Sequence, residues 1–169
     1  MVERRQLLKH LDSLLQTERF RDYCPNGLQV AGREHISHIV TGVTASQALI
    51  DAAIERGADT ILVHHGYFWK GEDERITGIK RERLKALLVN DINLIAYHLP
   101  LDGHPVYGNN VQLADVLGLQ IDGPLSEDDP SIPGHIGRLP RPMSGKEFSA
   151  WLGECLQREP LHIGEETDT

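Results

Sequence analysis

The chain predicts an α/β fold with a parallel βαβαβ core, and three observations carry that prediction. Two short apolar runs, Ile61-Leu62-Val63 and Asn93-Leu94-Ile95-Ala96-Tyr97, have the length and composition of buried strands. The stretches before and between them have helical periodicity and end at glycine or asparagine. Strands that alternate with helices over short links build a parallel sheet with right-handed crossovers.

The elements follow in order. Residues 3–16 place Leu7, Leu8, Leu11, Leu14 and Leu15 at helical spacing. Cys24-Pro25-Asn26-Gly27 has turn chemistry and leads into Leu28-Gln29-Val30. Residues 38–43 read as a strand. Thr44 with Gln47 matches a capping box that opens a helix over 45–56, and Gly57 suits its C-terminal cap. The next strand is Thr60 to His64. A long loop between Gly66 and Gly78 carries Tyr67, Phe68, Trp69 and Lys70, and such loops inside compact units are more often functional than idle. A helix over 80–90, a strand ending at His98 and a helix over 110–117 closed by Gly118 complete the core. Residues 120–143, rich in Pro, Gly and acids, read as a linker or irregular strands. Ser144 with Glu147 forms a capping box for a helix to about Gln157, and Pro160 to Ile163 reads as the start of a strand.

Composition narrows the function classes. The net charge of −8 is uneven, −2 over residues 1–120 and −6 over 121–169. No basic stripe exists to track duplex nucleic acid. No apolar run is long enough to span a bilayer, and the charged N-terminus lacks a secretion signal's apolar core, so cytoplasm is the expected compartment. Cys24 and Cys155 form no CxxC pair, which argues against thiolate zinc and a disulfide framework. Phosphate-binding glycine loops and nucleophile elbows are missing from the sequence.

What remains is a histidine constellation. His64 and His65 close one predicted strand, and His98, followed by Asp102, closes its predicted neighbour. Carboxyl ends of neighbouring parallel strands share one edge, where open α/β folds keep their sites. His64, His65 and Asp102 are therefore candidate metal ligands, and His98 is the candidate catalytic residue, assisting by hydrogen bonding. Adjacent strand residues point to opposite faces, so His64 and His65 converge only if the strand ends and turns there, which Gly66 permits. Even so, they suit two nearby ions better than one. Paired divalent ions make water nucleophilic near neutral pH and polarise what it attacks. The competing reading is that strand-end histidines simply bond to backbone. Tyr67, Phe68 and Trp69 would form a stacking wall for a planar substrate or an intersubunit contact. His104 would decorate the loop, and His10, His35, His38, His135 and His162 read as local.

Four phrases occur in order: Pro25-Asn26-Gly27-Leu28-Gln29-Val30, Thr41-Gly42-Val43-Thr44-Ala45-Ser46, Val63 to Gly71 including His64-His65-Gly66-Tyr67-Phe68-Trp69-Lys70, and His98-Leu99-Pro100-Leu101-Asp102. Together they resemble the GTP cyclohydrolase I type 2 homolog family, also called the Nif-three-like family of dinuclear-metal proteins, close to its enterobacterial member. The resemblance implies two similar α/β halves around a dinuclear site, assembled as a toroidal homohexamer. It assigns His64, His65 and Asp102 as ligands to two divalent ions per subunit, with zinc, iron, manganese and nickel equally suited. The family's C-terminal motif, which supplies a further histidine and a bridging glutamate, has no counterpart here. The resemblance therefore implies a C-terminally truncated member. Residues 1–120 would form the first, metal-binding half and 121–169 a linker plus the opening of a second half that is mostly missing. Weakened ion affinity and exposed apolar surface would follow.

The expected function is a metal-dependent, GTP cyclohydrolase type 2-like hydrolase acting on a small nucleotide-like substrate. The alternatives are a non-catalytic, metal-stapled toroidal assembly and an inactive remnant. Partners are a small molecule and further copies of the chain, with no duplex nucleic acid and no membrane.

Overall fold

The computed structural model describes residues 1–129 and 131–164. Its contacts divide into two units, Met1–Leu101 and Asp102–Thr169.

In the first unit, β1 (Val2–Glu3) leads into α1 (Arg4–Leu15) and a short 3-10 turn over Thr17–Arg19. β2 (Gly27–Val30) follows, then β3 (His35–Ile36), which pairs with β1 in antiparallel register. The expected βαβαβ core comes next: β4 (Ile39–Thr44), α2 (Gln47–Glu55), β5 (Thr60–His65), α3 (Gly78–Val89) and β6 (Asn93–Ala96). Strand order is β2-β6-β5-β4, with β4, β5 and β6 parallel and β2 added as an antiparallel edge. The core is as the sequence predicts, and the edge strand makes the sheet mixed.

Both faces of this sheet are covered, which explains why the strand sequences are apolar without alternation. Ile61, Val63, Leu94 and Ala96 pack with Ile50 and Ala53 of α2 and Leu84 and Leu87 of α3. Ile95 and Leu62 face the other way, where Leu7, Leu8, Leu11 and Leu15 of α1 meet Tyr97. All four residues of β6 are buried. At its start, buried Asn93 is satisfied on both sides of its amide. Its Oδ1 accepts from Gly32 N (2.8 Å) and Arg4 Nη1 (3.2 Å), while its Nδ2 donates to Arg33 O (2.9 Å).

Several local boundaries differ from expectation. Thr44 stays in β4, and the N-cap of α2 is Ser46, whose side chain accepts from Leu49 N. β5 runs through His65, one residue further than expected, and β6 stops at Ala96 rather than at His98.

The second unit holds the end of α4 (Leu99–Asp102), then α5 (Asn109–Val116), β7 (Gln120–Pro124), β8 (His135–Arg138) and α6 (Gly145–Leu156). β7 and β8 form an antiparallel hairpin with a register shift between Ile121 and Gly123, which matches the irregular-strand alternative for that part of the acid- and proline-rich stretch. The Ser144–Glu147 capping box is present with both of its bonds. Pro160 to Ile163 forms no strand, and Leu161 and Ile163 lie exposed. Among the described residues, no helix is long and apolar enough to cross a membrane.

Asp59, at the foot of β5, ties the chain ahead of β4 to the sheet. Its Oδ2 accepts from Ser37 N (2.8 Å), Ser37 Oγ (2.9 Å) and His38 N (3.0 Å). Burial pushes this carboxyl up, but the Ser37 and His38 bonds outweigh it and hold it below its usual value. Asp59→Ala strands those donors and is expected to cost about 1–3 kcal/mol at neutral pH. Because the folded pKa is depressed, this stabilisation is present above the unfolded value of about 3.9 and is lost as pH falls through the folded one. Urea unfolding of the parent and the variant at neutral and at strongly acidic pH checks both the gap and its closure.

Candidate metal centre

β5 and β6 run side by side with Val63 opposite Ala96, so both deliver their next residues to one edge of the sheet. Those residues are His64 and His65, which end β5, and His98, two positions past β6. Their rings converge. Centroids lie 4.4 Å apart for His64 and His65, 5.1 Å for His64 and His98, and 5.6 Å for His65 and His98. One nitrogen from each ring lies within 4.8 Å of the others, a grouping able to hold a metal ion. His64 and His65 converge although they are adjacent strand residues, because they are the last pair of β5 and their rings tilt to 42°.

Gly66 matters here for closeness rather than for a left-handed backbone. A Cβ on it would come within 2.7 Å of Gln29 Cδ and 2.8 Å of Ala96 Cβ. That intimacy lets Gln29 Oε1 accept from Tyr67 N at 2.7 Å, fixing the start of the aromatic loop. The left-handed residue is Phe68, at φ 66°. Lys70 N then donates to Tyr23 O (2.7 Å) and closes the loop down.

The expected three-ring wall reduces to one ring of the trio. Tyr67 is buried, donates its hydroxyl to Ala45 O (2.7 Å), and burial pushes its phenol up to about 12 against the pull of Arg83. Phe68 lies beneath Lys80, whose Nζ is 5.1 Å from the ring centroid. Only Trp69 faces the histidines, edge-on to His98 at 5.0 Å and to His65 at 5.9 Å. Tyr23 also packs against His98, with ring centroids 5.6 Å apart.

Each of the three histidines has one ring nitrogen engaged, that of His65 being Nδ1, 3.5 Å from Thr44 Oγ1. His64 Nδ1 lies 3.0 Å from Tyr97 O, and a carbonyl only accepts, so Nδ1 carries a proton and, in the neutral ring, Nε2 has the lone pair. His98 Nδ1 lies 2.9 Å from Asp22 Oδ1. Asp22 is the residue that sequence reasoning missed. Its Oδ1 also accepts from Tyr23 N (2.7 Å), and its Oδ2 accepts from Asn26 Nδ2 (3.0 Å) and Leu99 N (2.9 Å). Asn26 Oδ1 in turn accepts from His98 N (2.8 Å). The usable signal was an acid four residues before Asn26 of the Pro-Asn-Gly turn. Gly27 completes that turn at φ 91°, where a side chain is disfavoured. Burial raises the Asp22 carboxyl, yet the bonds from His98, Asn26, Leu99 and Tyr23 win and hold it low, so it is ionised at neutral pH.

Asp22, Cys24 and His98 also come close enough to hold an ion. The chemistry of the set opposes it. Burial, with Asp22 beside it, pushes the Cys24 thiol up to about 12, and a protonated thiol is a poor ligand. Both Asp22 oxygens already serve protein donors. Imidazoles, by contrast, are donors that divalent first-row ions take, so an ion fits at His64 and His65, with His98 beside them, better than at the Asp22 set.

Of the expected site residues, the structure brings His64, His65 and His98 together. Asp102 lies in the second unit, where its Oδ1 accepts from Asn109 Nδ2 (2.8 Å). His104 does more than decorate a loop: it is buried, and its Nδ1 accepts from Val106 N (3.1 Å) and Tyr107 N (2.9 Å).

The family described as Duf34/NIF3 (NGG1p interacting factor 3) matches residues 2–169. Over 157 residues the chain is 55% identical to the GTP cyclohydrolase 1 type 2 homolog of Pseudomonas aeruginosa, covering 93% of this chain and 62% of that protein. The Escherichia coli K12 protein of the same name is 51% identical over 160 residues, covering 95% of this chain and 63% of its own length. The chain thus spans less than two thirds of the curated relatives it matches. Among solved structures, protein ybgI, described as of unknown function, superposes with a TM-score of 0.89 at 48% identity, covering 98% of this chain and 66% of its own. A crystal structure from Thermus thermophilus does so at 0.81 and 36% identity, with the same coverage of each chain. With a match along nearly its whole length and relatives identical at half of the aligned positions, the chain belongs to the Duf34/NIF3 family.

Proposed function

We propose that this chain contributes the metal-holding part of a metal-dependent hydrolase acting on a small, planar, nucleotide-like substrate. One observation carries the reading: the grouping of His64, His65 and His98 nitrogens at the edge of a parallel sheet, beside Trp69. His64 and His65 would hold a divalent ion, and the family resemblance adds Asp102 to that ligand set. When bound, the ion would supply Lewis-acid polarisation and make water nucleophilic near neutral pH.

The chain's own residues supply the rest. Tyr97 O fixes His64 so that its Nε2 offers the lone pair. His98 has its Nδ1 engaged by Asp22 and so has Nε2 with which to accept a proton. The Trp69 and Tyr23 rings pack against His98 and would offer aromatic surface to a planar group. The relatives' name suggests cyclohydrolase chemistry on a purine, but a name given for likeness specifies no reaction.

Metal analysis of the purified protein is expected to find divalent metal that His64→Ala loses. The drop in affinity should exceed the roughly 10–100-fold that removing an outer partner of a ligand costs. Assays on nucleotides, phosphoesters and cyclic amides are expected to show turnover that the variant lacks. Metal retained without turnover on any of these would replace the hydrolase with a non-catalytic, metal-stapled assembly, and a protein that binds no metal would end both readings. Light scattering is expected to give six times the chain mass, the toroidal assembly implied by the resemblance, and a monomer would remove that part of the proposal.

A further inference from the structure

We propose that Asp22 is the positioning residue of His98: its carboxylate holds the ring in the Nδ1–H tautomer and leaves Nε2 as the acceptor that the ring offers. The functional use of that acceptor rests on the hydrolase reading above, whereas the positioning itself rests on geometry alone.

The geometry has three parts. First, the His98 side chain is nearly enclosed, 11% exposed, and the Asp22 side chain is 4% exposed, so water competes poorly for their 2.9 Å bond. Second, Asp22 is not free to turn. Tyr23 N and His98 Nδ1 hold one oxygen, while Asn26 Nδ2 and Leu99 N hold the other. Two of these four partner groups belong to the chain that leaves β6, and the His98 backbone N–H is tied back to Asn26 Oδ1. Ring and backbone of His98 are thus fixed by the same five-residue turn, Asp22 to Asn26. Third, every group on the Asp22 oxygens is a donor. A carboxylate accepts four bonds comfortably, whereas an amide in its place would turn one edge into a donor facing other donors. The position therefore demands an ionised acid, and an ionised acid demands a proton on His98 Nδ1. An imidazole locked by a carboxylate on one nitrogen is the arrangement that orients ligand and proton-transfer histidines generally.

Long-range proton–nitrogen correlation spectra of the metal-free, nitrogen-15-labelled chain test this without any assay of turnover. Spectra are taken at about pH 8.5, two units above the ordinary imidazole value of about 6.5. In the parent protein, His98 is expected to show a protonated Nδ1, with its proton shifted downfield and slow to exchange, and an unprotonated Nε2. Asp22→Ala is expected to move the ring toward the Nε2–H form, while His64, held by the Tyr97 carbonyl, keeps Nδ1–H and reports that the fold is intact. An Nε2–H ring in the parent, or a fast-exchanging Nδ1 proton, overturns the proposal even if the variant does not fold. So does an Nδ1–H ring that persists in a folded Asp22→Ala protein. For any substrate that the parent turns over, Asp22→Ala is expected to lower kcat by about 10–100-fold with little change in KM. A substrate panel without turnover would remove the hydrolase reading and leave the tautomer result standing, so the two failures look different.

Discussion

Parallel pairing of β5 with β6 is the constraint from which the site follows. Val63 sits opposite Ala96, and the histidines arrive one to two residues beyond that pair on their respective chains. Antiparallel strands would have sent them to opposite edges of the sheet. The pairing is itself secured by burial on both faces, by α2 and α3 on one side and α1 on the other. Apolar packing of this kind stabilises by roughly 25 cal/mol per Å² removed from water, so the strand ends are held by the largest favourable contribution the fold has. The three imidazoles need spend little of their own interaction energy on being brought together. They are placed by the sheet, and their hydrogen bonds are left to set orientation.

Orientation is set from two directions. His64 is tied to a carbonyl at Tyr97, inside the same pair of strands, while His98 is tied to Asp22 in a turn far back in the chain. That turn also prepares the edge strand β2, which starts at Gly27 and pairs with β6. One short segment thus completes the sheet and orients a ring at its edge. Deforming it would disturb both, which gives a physical reason for a buried, ionised carboxylate in a place where an apolar residue would pack more cheaply.

The sequence exposes the parts of this arrangement that depend on period and punctuation. Apolar runs at 61–63 and 93–97 mark the strands because a strand buried on both faces has no polar alternation to hide it. The Ser144–Glu147 cap is legible because it is a local exchange of two bonds. Adjacent histidines at a strand end mark the site because few structural needs place two imidazoles there. What depends on distant partners is not legible. Thr44 satisfies a capping-box pattern with Gln47, yet pairing with β5 keeps Thr44 in β4 and moves the cap to Ser46. Tyr67 and Trp69 are equivalent as aromatic letters, yet one is drawn into the core by a hydroxyl bond to Ala45 and the other is left beside His98. Asp22 lies 76 positions from its partner, and the spacing of the sequence carries no trace of that bond.

The donor set also shapes what this site can accept. Imidazoles are neutral ligands when they bind, so a divalent ion held by His64 and His65 keeps most of its charge. Within a low-dielectric, aromatic-lined edge that charge favours anionic groups, whether a protein carboxylate or the phosphate and carbonyl oxygens of a small molecule. The acid bonded to His98, Asp22, is turned away from this role, because its oxygens are filled by five protein groups, counting the weak Cys24 thiol. A chain of net charge −8 with no basic stripe has no other obvious way to attract an anion to this edge. The acidic composition and the neutral imidazoles are therefore consistent with one another under the proposed function, in which the ion would supply the positive charge at this edge.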